Sequence, residues 1–198
     1  MNTDIEANAL NQVKAHFKQS AELKMRSMES LSPHLVATAF KIIDCIKNKG
    51  KILAIGNGGS AADAQHFSAE MLNRFERERN PLPAIALTTD SSTITSIGND
   101  YDYNQIFSKQ IEALGARGDL LLAISTSGNS PNILTGIQAA HAGGMNIIAL
   151  TGNGGGKITT NLRENDLHLC VPAKRTARIQ EIHILCIHCI CDIVDSYK

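Results

Sequence analysis

The stretch Ile52-Leu53-Ala54-Ile55-Gly56-Asn57-Gly58-Gly59-Ser60-Ala61-Ala62-Asp63-Ala64-Gln65-His66-Phe67 decides the fold. Its first four residues are apolar without alternation. Strands covered on both faces look like this, and parallel sheets are covered on both faces. A glycine-rich segment follows and runs directly into a helical pattern. Strand, tight loop and helix in that order open an α/β unit.

The same texture recurs downstream, with apolar runs at 84–87, 120–124, 146–150 and 167–171 separated by Gly- or Ser-rich loops and helical stretches. The expectation is an α/β fold with a doubly wound, five-stranded parallel sheet. Upstream, Leu10, Val13 and Phe17 mark one helix over residues 4–30. Pro33 opens a second, with a stripe of Val36, Phe40 and Ile43 and with Gly50 as its cap. Residues 1–50 therefore read as a helical extension packed in an oligomer. The last segment, 177–196, is a helix that is apolar almost all round. Such a helix must be buried, and a second subunit is the expected cover.

The chain has 198 residues and 21.3 kDa, the size of a single domain over 1–198. Lys+Arg and Asp+Glu both number 19. This balance argues against a nucleic-acid or anionic-membrane binder, which needs excess positive charge. No apolar run approaches the roughly 18–20 residues that span a bilayer. Met1-Asn2-Thr3-Asp4-Ile5-Glu6 lacks the cationic start and apolar core of an export signal. Five cysteines, an odd number with three crowded near one end, read as reduced thiols. A cytoplasmic protein is expected.

In open α/β sheets ligands bind beyond the C-terminal ends of the strands. After the first strand, Gly56-Asn57-Gly58-Gly59-Ser60 can bring backbone N–H groups close to a ligand at the positive end of a helix. Ser60 and Asp63 resemble a capping box. Gly56-x-Gly58-x-x-Ala61 loosely fits a dinucleotide fingerprint, but no ribose-binding acid stands at the usual spacing. After the third strand, Ser125-Thr126-Ser127-Gly128-Asn129-Ser130-Pro131 offers hydroxyls and backbone N–H groups without fixed positive charge. This suits a phosphate monoester that must bind and leave. Ser130 reads as an N-cap and Pro131 as a first helical residue. Gly152-Asn153-Gly154-Gly155-Gly156 reads as a flexible turn, and 74–79 as a solvated charged face.

His66 and Glu70 share one helix face, four residues apart, and could chelate a metal, exchange a proton or form a surface pair without a role. Gln180 and His188 share a side of the last helix but lie about 12 Å apart along its axis, far for two ligands of one ion. His183 reads as structural. Cys186, Cys189 and Cys191 read as core thiols.

These segments, with Asp63-Ala64-Gln65-His66-Phe67 and Arg178-Ile179-Gln180-Glu181 in order, resemble the sugar isomerase (SIS) domain family over nearly the whole chain. The resemblance implies a flavodoxin-like sheet and a homotetramer with active sites at subunit interfaces. It implies aldose–ketose isomerisation of sedoheptulose 7-phosphate through a cis-enediol, with heptose supply for lipopolysaccharide as the setting. Carried over by position, one zinc ion per subunit falls to His66, Glu70, Gln180 and His188. Substrate contacts fall to Asn57, Gly58, Gly59, Glu70, Asn99, Asp100, Ser125, Thr126, Ser127, Ser130 and Gln180. Glu70 is the implied base and His188 the implied acid. Ala61 and Ala62 replace a His and a Cys of some members, a change of pocket shape. A non-enzymatic relative that binds a replication initiator is the alternative. It lacks an acid at the position of Glu70 and an imidazole at that of His188. Sugar-phosphate-sensing domains usually append a DNA-binding domain, for which this chain shows no basic recognition helix.

Overall fold

The computed structural model describes residues 3–197. Five strands, β1 (Ile52–Gly56), β2 (Ala84–Ala86), β3 (Leu120–Ser125), β4 (Asn146–Gly152) and β5 (Leu167–Val171), form one sheet in the order β2-β1-β3-β4-β5. Every pairing is parallel. This is the flavodoxin-like order, whose direction of winding reverses between β1 and β3.

Seven α-helices cover the two faces: α1 (Thr3–Lys47), α2 (Gly59–Leu72), α3 (Ser91–Asp100), α4 (Ser108–Leu114), α5 (Pro131–Ala142), α6 (Gly156–Asn161) and α7 (Thr176–Tyr197). Side chains alternate between the faces, as the strand period of two requires. Ile52 and Ala54, with Leu120, Leu122 and Ile124, join a core formed with α1, α2 and α7. Leu53 and Ile55, with Leu121 and Ala123, join a second core formed with α4 and α5. Both cores are apolar, so the central strands β1 and β3 are apolar over nearly their whole length.

The sequence reading of two leading helices is corrected. α1 is one helix of 45 residues that passes through Pro33. A proline there lacks the N–H that would meet the Glu29 carbonyl, a cost of about 3 kcal/mol in a helix interior. Packing outweighs it. Leu23, Ser27, Leu31, Thr38, Ile42 and Cys45 are buried, with Leu35 partly so, and their spacing of three or four residues runs unbroken across Pro33. α7 lies along this stripe. Its residues Ile179, Ile182, Cys186, Ile187, Ile190 and Val194 are buried inside the subunit, so the main face of the last helix needs no second chain to cover it. The first half of α1 differs. Leu10, Val13 and Phe17 are exposed, Phe17 to 75%.

Candidate active site

α2 follows the β1 loop and packs beside α7 in parallel. Three separate contacts mark the alignment. At the start of α2, Gly59 lies so close to Gln180 that a Cβ there would fall 2.3 Å from the Gln180 amide nitrogen. Two turns on, His66 Nε2 faces His188 Nε2 at 3.0 Å. Beyond the end of α2, Arg79 pairs with Asp195. The separation of Gln180 and His188 along one helix is thus matched by that of Gly59 and His66 along its neighbour.

His66 Nε2 also lies 3.2 Å from Glu70 Oε1, one turn along α2. Glu70, His66 and His188 form a row with His66 in the middle. Donors held about 2.0–2.1 Å from one tetrahedral ion stand about 3.3 Å apart. Both measured spacings are close to that. Among the described residues, no three His, Cys, Asp or Glu side chains close into a ready-made cage. The row fits a metal as an open donor set of His66, Glu70 and His188, whereas the Gln180 amide packs against Gly59 two turns away and is not brought to the row within the subunit. The Phe75 ring stands 5.5 Å from that of His188 and walls one side.

The Ser60–Asp63 capping box does not form. Gly58 occupies the N-cap of α2, and no side chain caps the helix. Ser60 is buried. Asp63 keeps one carboxylate oxygen buried without a hydrogen-bond partner, and burial raises its pKa to about 6 despite the lowering influence of His66.

The β3 loop is braced from two sides. Ser125 and Ser130 share a hydrogen bond between hydroxyls at 3.1 Å. Ser130 is the N-cap of α5 by position and Pro131 its first residue, but the hydroxyl points to Ser125 instead of capping. Ser127 Oγ accepts from the Asn129 N–H. Gly128 has φ +65°, and a Cβ would strike the Gly155 carbonyl. The Gly152–Gly156 segment is therefore a support packed beneath the β3 loop, not the flexible turn expected. Ile158 N–H donates to Gly128 O, and Lys157 N–H to Asn129 Oδ1.

The reading missed Asn132. Its side chain and that of Asn57 exchange two hydrogen bonds of 2.8 Å, which tie the β1 loop to the start of α5. Tyr103 Oη also donates to Asn57 Oδ1. Asn132 is 2% exposed, and only the pairing of two distant loops gives it a role. Asn99 and Asp100 stand exposed at the end of α3, and Asn99 Nδ2 donates to Asp100 Oδ1. Among the described residues, no hydrogen bond or ion pair joins these two to the other site residues.

His183 is structural, as read. It is fully buried and donates to the Thr151 carbonyl at 3.0 Å, and burial lowers its pKa to about 4. All five cysteines are free. Burial, then the nearby Glu70 and Asp195 carboxylates, push Cys191 up to about 12, so it stays a thiol. The charged face at 74–79 is read only half correctly. Arg74 and Glu78 form an exposed pair, but Arg79 is mostly covered and ion-paired to the buried Asp195.

A sheet wound 2-1-3-4-5, with a hydroxyl-lined loop at its switch point and a carboxylate–imidazole row beside it, defines a sugar-isomerase-type α/β domain. The SIS domain model matches residues 15–152, and the chain belongs to that family. It is 58% identical over 186 residues to the phosphoheptose isomerase of Aromatoleum aromaticum, covering 94% of each chain. The structure of phosphoheptose isomerase GmhA from Neisseria gonorrhoeae superposes with a TM-score of 0.91 at 52% identity, covering 95% of this chain and 99% of that one. The Francisella tularensis phosphoheptose isomerase gives 0.93 at 46% identity, covering 95% and 98%. The Vibrio vulnificus NanR protein, at 15% identity and a TM-score of 0.60, shares the fold alone.

Proposed function

We propose that this chain is a phosphoheptose isomerase that converts sedoheptulose 7-phosphate to D-glycero-D-manno-heptose 7-phosphate. The carrying observation is the Glu70–His66–His188 row, assembled from two helices whose residues lie 122 positions apart. The near-full-length likeness to named phosphoheptose isomerases supports it. The phosphate binds the hydroxyls and N–H groups of Ser125, Thr126, Ser127 and Ser130, and the sugar runs past Asn57, Gly58, Gly59 and Gln180. His66 lies seven residues beyond Gly59, about 10 Å along α2. A substrate held by its phosphate must therefore be long enough to reach the row.

The Glu70 carboxylate takes a proton from C1 of the ketose. The C–H electron pair becomes the C1–C2 double bond, and the C2 carbonyl oxygen gains a proton from His188. Glu70 then returns its proton to C2, the double-bond electrons move back to form the C1 carbonyl, and the C1 hydroxyl gives its proton to His188, which restores the acid as the aldehyde forms. A zinc ion, one per subunit, would be held by His66, Glu70 and His188, with Gln180 as the fourth ligand the family resemblance implies, and would supply Lewis acidity toward the substrate oxygens. A nitrogen bound to a metal has no proton to give, so His188 would serve as the acid in the state in which its Nε2 carries a proton and as a ligand in the state in which it does not.

The working form is a homotetramer in the cytoplasm, feeding heptose to lipopolysaccharide synthesis. The exposed stripe Leu10, Val13 and Phe17 supports self-association. Among the described residues no helix is long and apolar enough to cross a membrane. The test is incubation with sedoheptulose 7-phosphate, with and without chelator and added zinc, alongside light scattering. Zinc-dependent heptose 7-phosphate formation by a tetramer is expected. A zinc-loaded tetramer without turnover would move the reading to the non-enzymatic initiator-binding relative.

A further inference from the structure

Arg79 lies outside every motif used above, yet it makes the densest set of polar contacts near the site. Its Nη2 donates to the Glu70 carbonyl at 2.6 Å and its Nη1 to the Met71 carbonyl at 2.8 Å. Nη1 also reaches the Asn73 and Asn80 carbonyls at 3.4 and 3.2 Å. Its Nε donates to Asp195 Oδ1 on α7. The Asp195 side chain is 1% exposed and that of Arg79 11%. Asp195 Oδ2 also accepts from the Arg77 N–H at 3.4 Å.

The chemistry is that of a helix end. The last carbonyls of α2 have no partner inside the helix and carry its negative pole. A guanidinium can meet several of them and a carboxylate at once, because its donors fan out in a fixed plane. The carbonyl it holds most tightly belongs to Glu70. The carboxylate it holds lies two turns beyond His188 on α7. At the other end of the helix pair, Gly59 packs on Gln180. The pair is pinned at both ends, and the imidazoles meet between the pins.

We propose that Arg79, clamped by Asp195, is a positioning residue for isomerisation: it sets the spacing of α2 and α7 that brings Glu70 and His66 to His188. This rests on the proposed activity for its kinetic consequence but not for its geometric one. The clamp acts through the proton-transfer groups and leaves the phosphate loops alone. It therefore governs kcat more than KM, since small displacements of reacting groups cost up to about 10²-fold in rate.

The test uses Arg79→Lys, which keeps the charge but loses the fork, and Asp195→Asn, which keeps the shape but loses the charge. Each is checked for an intact fold and assembly. Steady-state kinetics on sedoheptulose 7-phosphate should show kcat lowered at least about tenfold in Arg79→Lys, with KM within about threefold. A crystal structure of Asp195→Asn should show His66 Nε2 and His188 Nε2 drawn apart. If melting temperature falls but kcat per folded enzyme and the imidazole spacing both stay at wild-type values, the pair is merely structural and the proposal is overturned. A wild-type protein without isomerase activity would defeat the proposed function. The crystallographic spacing in Asp195→Asn would then decide the clamp, widening in its favour or unchanged against it.

Discussion

His66 on α2 and His188 on α7 point their Nε2 atoms at each other across 3.0 Å. Two neutral imidazoles at that distance either share one proton or aim two lone pairs at a common cation. Glu70, 3.2 Å from His66, places a negative charge at the end of the row and favours a cation there.

Substitution of the middle member tests the metal. His66→Asn should weaken zinc binding by more than the roughly 10–100-fold that loss of an outer-shell partner costs. Competition against a chromophoric chelator measures this without reference to turnover. Unchanged zinc affinity would remove His66 from the ligand set.

Glu70→Gln keeps the shape of the side chain and removes the base. Turnover of sedoheptulose 7-phosphate should fall by about 10²-fold or more, the usual scale for losing general-base catalysis. The melting temperature should change little. Wild-type turnover in this variant would assign the proton transfer elsewhere.

Asn132→Ala leaves the Asn57 amide without its reciprocal partner. An unsatisfied buried amide costs about 1–3 kcal/mol, which urea unfolding can read. Because the lost pair joins the β1 loop to the start of α5, KM for the sugar phosphate should rise as well. Unaltered stability and KM together would show that the two loops hold their places without it.

Stability against pH should carry two opposed slopes. The pKa of Asp63 is raised to about 6 in the folded protein, above its usual 3.8, so the stability it contributes is present at low pH and lost as pH rises from about 4 to 6. The pKa of His183 is lowered to about 4 from 6.5, so the unfolded chain takes up a proton first and stability is lost as pH falls through that window. Asp63→Asn removes the first slope, leaving His183 exposed as a steeper loss of stability on acidification. It should also stabilise the protein at neutral pH, by about 1 kcal/mol after allowance for partial solvent screening. Melting curves between pH 4 and 8 compare the two proteins, and parallel profiles would contradict the assignment.

Much of the site was legible in the sequence because its parts are local. A glycine run after an apolar run needs no distant partner to be read as a strand-end loop, and Ser130-Pro131 marks a helix start by residue type alone. The misreadings share a different cause. Pro33 looked like a boundary because a proline costs a helix locally, whereas the stripe from Leu23 to Cys45 crosses it and packs on α7. Arg79 looked solvated because its neighbours are charged, and its partner Asp195 lies 116 residues away. Asn132 carried no signal at all, since an asparagine in a helix's first turn is ordinary until Asn57 faces it.

The sequence by itself determined the parallel sheet and the two ligand-facing loops, because strand and helix periodicities and turn residues act over a few positions, while His66, Glu70, Gln180 and His188 were joined as candidates only by the family resemblance. Only the tertiary structure decided that Glu70, His66 and His188 meet as a row. That meeting depends on α2 and α7 lying parallel, with Gly59 small enough to accept Gln180 at one end and Arg79 bound to Asp195 at the other. The alignment of two helices more than a hundred residues apart is set by which side chains pack between them, a property no short stretch of sequence contains.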